Sequence, residues 1–459
     1  MYDLAIIGGG PCGYTAAELA GREGLSVILF EKKELGGVCL NEGCIPTKSL
    51  LYGAKVYDGV RHADRYGVTT SPPAFNYDKA FDRKERVVKR LVTGIGVRLR
   101  NAGVETIKAE ASVKGRDDEG IIIVAADAEY RSRNLLVCTG SEAAVPPFPG
   151  LETAGGTIVT SRELLSLREQ PSGIVIIGGG VIGMEFASFF NSIGTKVTVV
   201  EMAPKILGPF DNEISAVLQD IYAKRGVDFR LNCKVTAIGE RGEVSFEDAG
   251  GNVAAVSGEK ILVSVGRRAR LENLGLENLG VEYSLNRAGM PCGIKVDEHM
   301  RTNVPGVYAA GDVTGFSMLA HTASREGEVA VNDIMGKNDS MSYKAVPGAV
   351  YTNPEAACVG LTEEEARSKG IDCIVNRLPM TFAARFAAEN DRVNGICKIV
   401  AGKRNHEILG VHMLGNPCSE IIHSACIAIE QGITFEQLRK TIFPHPSVSE
   451  IIRETANAG

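Results

Sequence analysis

The sequence predicts an α/β protein in which one βαβ unit is written twice, and three observations lead there. Leu4-Ala5-Ile6-Ile7 and Ile174-Val175-Ile176-Ile177 are four-residue apolar runs of the kind that form buried strands. Each is followed by the same glycine spacing, Gly8, Gly10 and Gly13 in one copy and Gly178, Gly180 and Gly183 in the other. A second apolar run closes each unit, residues 27–30 and 197–200, and ends on an acid, Glu31 or Glu201, eighteen positions after the third glycine.

Each element has a local reason. Helices are expected where Ala16, Ala17, Leu19 and Ala20, and in the second copy Phe186, Ala187, Phe189 and Phe190, repeat at helical spacing. Of the three glycines, the first permits a tight turn, the second lets backbone N–H groups approach a pyrophosphate, and the third allows close helix–strand packing. The helix N-terminus then turns its positive end to the phosphates, and the terminal carboxylate accepts hydrogen bonds from ribose hydroxyls. Two such Rossmann-like sites in one chain suggest electron transfer between a held flavin and a nicotinamide. Glu201 repels a ribose 2′-phosphate, and Met202-Ala203-Pro204-Lys205 offers no arginine, so NAD is expected rather than NADP.

Composition sets outer limits. A chain of 459 residues allows about three domains. Fifty Lys+Arg against 56 Asp+Glu leave a net charge of −6 with no basic cluster, which argues against a nucleic-acid partner. Apolar content of 44% excludes disorder. The 53 glycines exceed the ~32 that a usual ~7% would give. Eleven scattered cysteines, an odd number, do not form a secreted disulfide framework. With no signal peptide, and no apolar run reaching the ~18–20 residues of a membrane span, a reduced, soluble, cytoplasmic protein without a membrane partner is expected.

After the first unit, Gly36-Gly37-Val38-Cys39-Leu40-Asn41-Glu42-Gly43-Cys44-Ile45-Pro46-Thr47-Lys48 places two cysteines five positions apart. Pro46 suits a first helical turn, which puts Cys44 at a helix N-terminus, where the dipole favours a thiolate. Lys48 follows one turn later on the same face. The spacing also fits half a zinc site or two inert thiols. No second Cys/His pair at ligand spacing accompanies it, and the helix start and lysine favour a redox-active disulfide.

On these motifs the chain resembles the pyridine nucleotide–disulfide oxidoreductases. Thr302 to Asp312, Met318-Leu319-Ala320-His321 and His445-Pro446-Ser447-Val448-Ser449-Glu450 extend the resemblance over essentially the whole chain. Leu40 and Ile45 resemble the form found in members that oxidise dihydrolipoyl groups; glutathione-reducing members tend to carry valine at both. The resemblance implies an FAD domain split in sequence (1–144), an NAD domain (145–268), a central domain completing the FAD site (269–342) and a C-terminal α+β dimerisation domain (343–459). It further implies that Gly8, Gly10, Gly13 and Glu31 hold the ADP half of FAD, with Ala111 beside the adenine. Gly140 would mark the crossing near the flavin, and Asp312 would bind the ribityl chain. The backbone of residues 318–321, including Met318, Ala320 and His321, would pass the isoalloxazine. Lys48 would sit near the reactive flavin nitrogen, paired with Glu185. Gly178, Gly180, Gly183, Glu201, Val235 and Gly266 would surround NAD.

His445, flanked by prolines, has the residue type of a general base near neutral pH, with Glu450 placed to fix its tautomer. In the family this base comes from the other subunit, which implies a homodimer with shared active sites. The expected chemistry follows: His445 deprotonates a dihydrolipoyl thiol, Cys39 takes part in interchange, and Cys44 leaves as the thiolate facing the flavin. The implied partner is a lipoyl-bearing protein or complex. Two alternatives stay open: a reductase of glutathione or another small disulfide, and a dimeric binding subunit of a multienzyme complex. Pro11-Cys12 departs from the small residues usual in the first fingerprint and places a thiol beside the pyrophosphate loop.

Overall fold

A computed structural model of the chain describes residues 1–152, 155–240, 242–390 and 394–458. The chain divides into two compact units, residues 1–49, 79–144 and 266–342 forming one and residues 50–78, 145–265 and 343–459 the other.

In the first unit Tyr2–Ile7 lies at the centre of a parallel set. Val27–Phe30 and then Glu105–Ile107 extend it on one side, and Ala128–Val137 and Val307–Ala309 on the other. Ile121–Ala125 and Ala111–Arg116 continue the sheet antiparallel. Leu4 to Ile7 are all buried because alternate side chains serve two cores. Leu4 and Ile6 pack with Ala16, Ala17 and Ala20 of helix Pro11–Arg22 and with Val329 and Ala330 of helix Ala320–Ile334. Ala5 and Ile7 pack on the opposite face with Ile121, Ile123 and Val313. Emptying one such position, as in Leu4→Ala, is expected to cost about 2–5 kcal/mol.

The second unit repeats the arrangement around Gly173–Ile177, with Lys196–Val200 and Asp228–Arg230 on one side and Lys260–Val263 and Ile158–Val159 on the other. The antiparallel strands Lys234–Ile238, Glu243–Glu247 and Val253–Ser257 follow. Toward the C-terminus, Gly348–Val350, Ala356–Gly360, Ile408–Leu414, Ile396–Gly402 and Cys373–Pro379 form an antiparallel sheet. Helices Cys418–Glu430 and Glu450–Asn457 bury Ile422 and Ile451 in a core shared with Val411 and Met413 of that sheet.

The two βαβ units match bond for bond. Gly8 N donates to Phe30 O at 2.8 Å and Gly178 N to Val200 O at 2.9 Å. Tyr14 N donates to Gly10 O at 3.0 Å, and Met184 N to Gly180 O at 2.9 Å. Cys138 N donates to Ile7 O and Ser264 N to Ile177 O, both at 2.8 Å. The duplication seen in the sequence is therefore a duplication of backbone geometry. Among the described residues, no helix is long and apolar enough to cross a membrane.

Candidate functional site

The six fingerprint glycines separate into two kinds when a Cβ is placed on each. At Gly8 (φ +108°) it would lie 2.3 Å from Cys138 O, and at Gly178 (φ +102°) 2.5 Å from Ser264 O. At Gly13 it would lie 1.8 Å from Gly8 O, and at Gly183 2.0 Å from Gly178 O. These four glycines are demanded by the protein's own backbone. The middle pair is not: a Cβ on Gly10 meets nothing nearer than Gly37 Cα at 3.9 Å, and one on Gly180 meets nothing within 4 Å. Both middle glycines are extended and cap the helix N-termini, with φ −73° at Gly10 and −71° at Gly180. Open space before a helix N-terminus fits a pyrophosphate, whose charge would meet the orphan N–H groups and the positive dipole end.

The two acids are anchored alike. Glu31 accepts from Gly9 N and from Lys33 N, each at 2.8 Å. Glu201 accepts from Gly179 N at 2.6 Å and from Ala203 N at 2.7 Å. Each carboxylate oxygen takes one backbone N–H, which fixes the carboxylate and leaves each oxygen further acceptor capacity for ribose hydroxyls.

Cys39 and Cys44 form a disulfide with Cα atoms 4.7 Å apart. Cys39 sits on a short helix, Gly37–Glu42, which the sequence reading did not anticipate, and Cys44 is the first residue of helix Cys44–Arg61. Leu40, buried, and Ile45, partly buried, join the first unit's core and anchor both cysteine-bearing helices. Between them, a Cβ on Gly43 would lie 3.1 Å from Val38 O, so the turn is tight. Thiolate charge released at Cys44 would face the positive helix end, with Lys48 one turn on.

Asp312 stands in a polar cluster. It accepts a hydrogen bond from Ser141 Oγ. Arg267 Nε donates to Ser141 Oγ at 2.7 Å, and Arg267 Nη2 donates to Ser141 O at 2.9 Å. Arg267 Nε lies 4.0 Å from the Asp312 carboxylate. Strands Ser141–Ala143 and Arg267–Ala269 pair antiparallel, which brings the two residues together. Sequence reasoning missed both Ser141 and Arg267; only long-range pairing across 126 positions joins them, and no local pattern signals it. Buried Glu326 was missed as well; it accepts from Gly311 N at 2.6 Å, just before Asp312.

At the C-terminus, His445 Nδ1 lies 2.9 Å from Glu450 Oε1, and Glu450 Oε2 accepts from Ser447 N at 2.8 Å. The Ser447 N–H, and secondarily His445, hold the Glu450 carboxyl below its usual range. An ionised carboxylate only accepts, so Nδ1 carries the proton, and in the neutral imidazole the lone pair is then on Nε2. The His445 side chain is 73% exposed, open to an incoming group.

The remaining predicted residues have these places. Ala111 opens strand Ala111–Arg116, and Gly140 (φ +73°) precedes Ser141. Met318 lies just before helix Ala320–Ile334, whose first turn carries Ala320 and His321. Val235 is on strand Lys234–Ile238, and Gly266 (φ +131°) precedes Arg267. Glu185 is buried in helix Val181–Ser192 and accepts from Tyr351 N at 3.1 Å.

The chain matches known proteins over its full length. Residues 2–327 match the family model described as pyridine nucleotide-disulphide oxidoreductase, and residues 346–456 match that family's dimerisation domain. A dihydrolipoyl dehydrogenase of Bacillus subtilis is 37% identical, covering 100% of this chain and 98% of its own. The mitochondrial dihydrolipoyl dehydrogenase of Schizosaccharomyces pombe is 36% identical over 100% of this chain and 89% of its own. Among solved structures, the HOCl-induced flavoprotein disulfide reductase RclA of Escherichia coli aligns with a TM-score of 0.85 at 29% identity, covering 99% of both chains. LpdA of Mycobacterium tuberculosis aligns with a TM-score of 0.88 at 26% identity, over 99% of this chain and 98% of its own. Two dinucleotide cradles, a disulfide at a helix start and full-length matches of this kind lead to one conclusion: the chain belongs to the pyridine nucleotide–disulphide oxidoreductase family.

Proposed function

We propose that the chain is an FAD-dependent dihydrolipoyl dehydrogenase that acts as a homodimer and passes electrons from protein-bound dihydrolipoyl groups to NAD+. The observation that carries this reading is the Cys39–Cys44 disulfide at the start of a helix, in the unit that holds the first dinucleotide cradle. Full-length relatives of that name at 34–37% identity support the substrate.

In this reading Gly8, Gly10, Gly13 and Glu31 hold the ADP part of FAD, and Ala111, Gly140, Asp312 and residues 318–321 complete its site. Gly178, Gly180, Gly183, Glu201, Val235 and Gly266 hold NAD. The four-part division at 144/145, 268/269 and 342/343 belongs to the same proposal. Bound FAD and NAD+ supply the two-electron acceptor chain. The chain's own residues do the rest. His445 Nε2 takes the proton of a substrate thiol while Glu450 holds the imidazole. The resulting thiolate attacks Cys39 Sγ, the S–S bond breaks, and Cys44 leaves as a thiolate favoured by its helix dipole and Lys48. The second substrate thiol then attacks the mixed disulfide, closing the lipoyl ring and releasing Cys39. His445 serves the disulfide of the other subunit, so each site is shared. The physiological reductant is a lipoyl group carried on another protein.

Assays of NAD+-linked dihydrolipoamide oxidation beside NADH- and NADPH-linked reduction of glutathione disulfide test the proposal. Dihydrolipoamide is expected to give the higher kcat/KM by at least tenfold. Faster turnover of glutathione disulfide would replace this reading with the small-disulfide reductase.

A further inference from the structure

The first fingerprint carries a second thiol pair that the redox chemistry above does not use. Cys12 Sγ lies 3.0 Å from Cys138 Sγ, 126 positions apart in sequence. Both side chains are buried, 4% and 6% exposed. The two sulfurs are already inside van der Waals contact, about 1 Å from a disulfide bond length of ~2.05 Å. From this geometry we infer that Cys12 and Cys138 form a second cystine site, closed by hydrogen peroxide, which ties the fingerprint helix to the strand end beneath the pyrophosphate loop.

The fold does not require this pair. In the duplicated second unit the equivalent positions are Ile182 and Ser264, and there Ser264 Oγ donates to Ile177 O and Gly178 O at 3.1 and 3.0 Å. The same backbone is thus built without thiols, and the first unit carries two adjacent sulfurs where the second carries an apolar side chain and a hydroxyl. A bond formed there would not be silent. A Cβ on Gly327 would lie 2.9 Å from Cys12 O, one on Gly311 3.5 Å from Cys12 Cβ, and one on Gly8 2.3 Å from Cys138 O. Backbone therefore packs against both cysteines, and drawing the sulfurs together moves Cys12 relative to Gly10 and Gly13, at the helix end proposed to face the flavin pyrophosphate.

The step balances. One thiol reduces the peroxide O–O bond, giving a sulfenic acid and water. The second thiol attacks the sulfenic sulfur, the S–O bond breaks, and hydroxide leaves with that thiol's proton as a second water. Two thiols and one hydrogen peroxide yield one cystine and two waters. Burial pushes the Cys12 thiol well up, so it stays protonated and reacts slowly, which makes the site respond to strong or sustained oxidation. The Cys39–Cys44 pair is already oxidised and does not compete.

The test treats the holoenzyme with graded hydrogen peroxide, alkylates under denaturing conditions and maps proteolytic peptides by mass. Expected is a Cys12–Cys138 linked peptide, lighter by two hydrogens than its reduced parts. It should be reversed by dithiothreitol and absent in Cys138→Ser, the residue the second unit carries there. Alkylation of both cysteines at the untreated level, or sulfinic acid at either without the link, overturns the inference. Flavin release from the oxidised enzyme, followed by fluorescence, is expected to change at least threefold and to stay constant in Cys138→Ser. Only this second readout rests on the proposed flavin site; the linked peptide stands or falls without it.

Discussion

Gly180→Ala and Gly183→Ala are three positions apart in one fingerprint, and the structure requires them to fail in opposite ways. At Gly183 the added methyl would lie 2.0 Å from Gly178 O, so the backbone must shift by about 1 Å, an overpacking that costs about 1–3 kcal/mol. At Gly180 the methyl meets no protein atom within 4 Å, and φ −71°, ψ −172° is ordinary for alanine. Alanine is a poorer N-cap than glycine by up to about 1 kcal/mol, and it stabilises by about 0.4–1 kcal/mol through the unfolded chain, so the net change is near zero. The same methyl stands where a pyrophosphate would approach the backbone. Losing one charge-assisted hydrogen bond of about 1.5–3 kcal/mol weakens binding by about 13–160-fold. Urea denaturation and NADH titration by fluorescence separate the effects. Gly183→Ala should lose stability, whereas Gly180→Ala should keep it and bind NADH more than tenfold worse. Parental NADH affinity in Gly180→Ala would refute the argument that open space at the middle glycine marks the dinucleotide's path.

Three further outcomes are expected. Cys44→Ser should abolish long-wavelength absorbance at two-electron reduction while Cys39→Ser retains it, both losing dihydrolipoamide oxidation by at least 100-fold; the opposite spectral result reverses the roles of the two cysteines. His445→Gln should lower kcat/KM by about 10²–10⁴-fold. Glu450→Gln should lower it less, through loss of the carboxylate that holds the imidazole by Nδ1; an unchanged kcat/KM would separate Glu450 from the base. Lys398→Met should cost about 3–5 kcal/mol in denaturant unfolding, since it strips the cation from buried Asp211 and from Glu363, each 2.8 Å from Lys398 Nζ. Burial lowers the Lys398 pKa, but its hydrogen bonds to Asp211 and Glu363 outweigh this and raise the value, while Lys398 chiefly holds Glu363 below its usual range. That stabilisation should therefore be constant from about pH 5 to 10. It should fade as acid protonates Glu363 and as alkali deprotonates Lys398.

What the sequence displayed and what it hid divide along contact distance. The fingerprints were legible because each is a contiguous strand–turn–helix whose glycines obey local sterics: Gly8 and Gly13 are forced by the same few residues that announce them. The Cys39–Cys44 and His445–Glu450 pairs each span five positions, so helix starts and residue type were enough. The short helix at Gly37–Glu42 was missed because its glycine-rich start, with Gly36 and Gly37 at positive φ, reads as a turn. Ser141, Arg267 and Asp312 were hidden for a different reason. Asp312 was visible as a motif residue, but what orients it comes from 171 and 45 positions away, through sheet pairing that no window of sequence contains. Cys12 shows both sides at once. Its oddity inside the fingerprint was plain from the sequence, yet its partner, the sulfur of Cys138, lies 126 positions away in the chain. Motifs in this chain therefore name the groups proposed to meet a dinucleotide or a disulfide substrate. The contacts that aim those groups come from the tertiary fold, and Arg267 and Cys138 are where substitution separates aiming from chemistry.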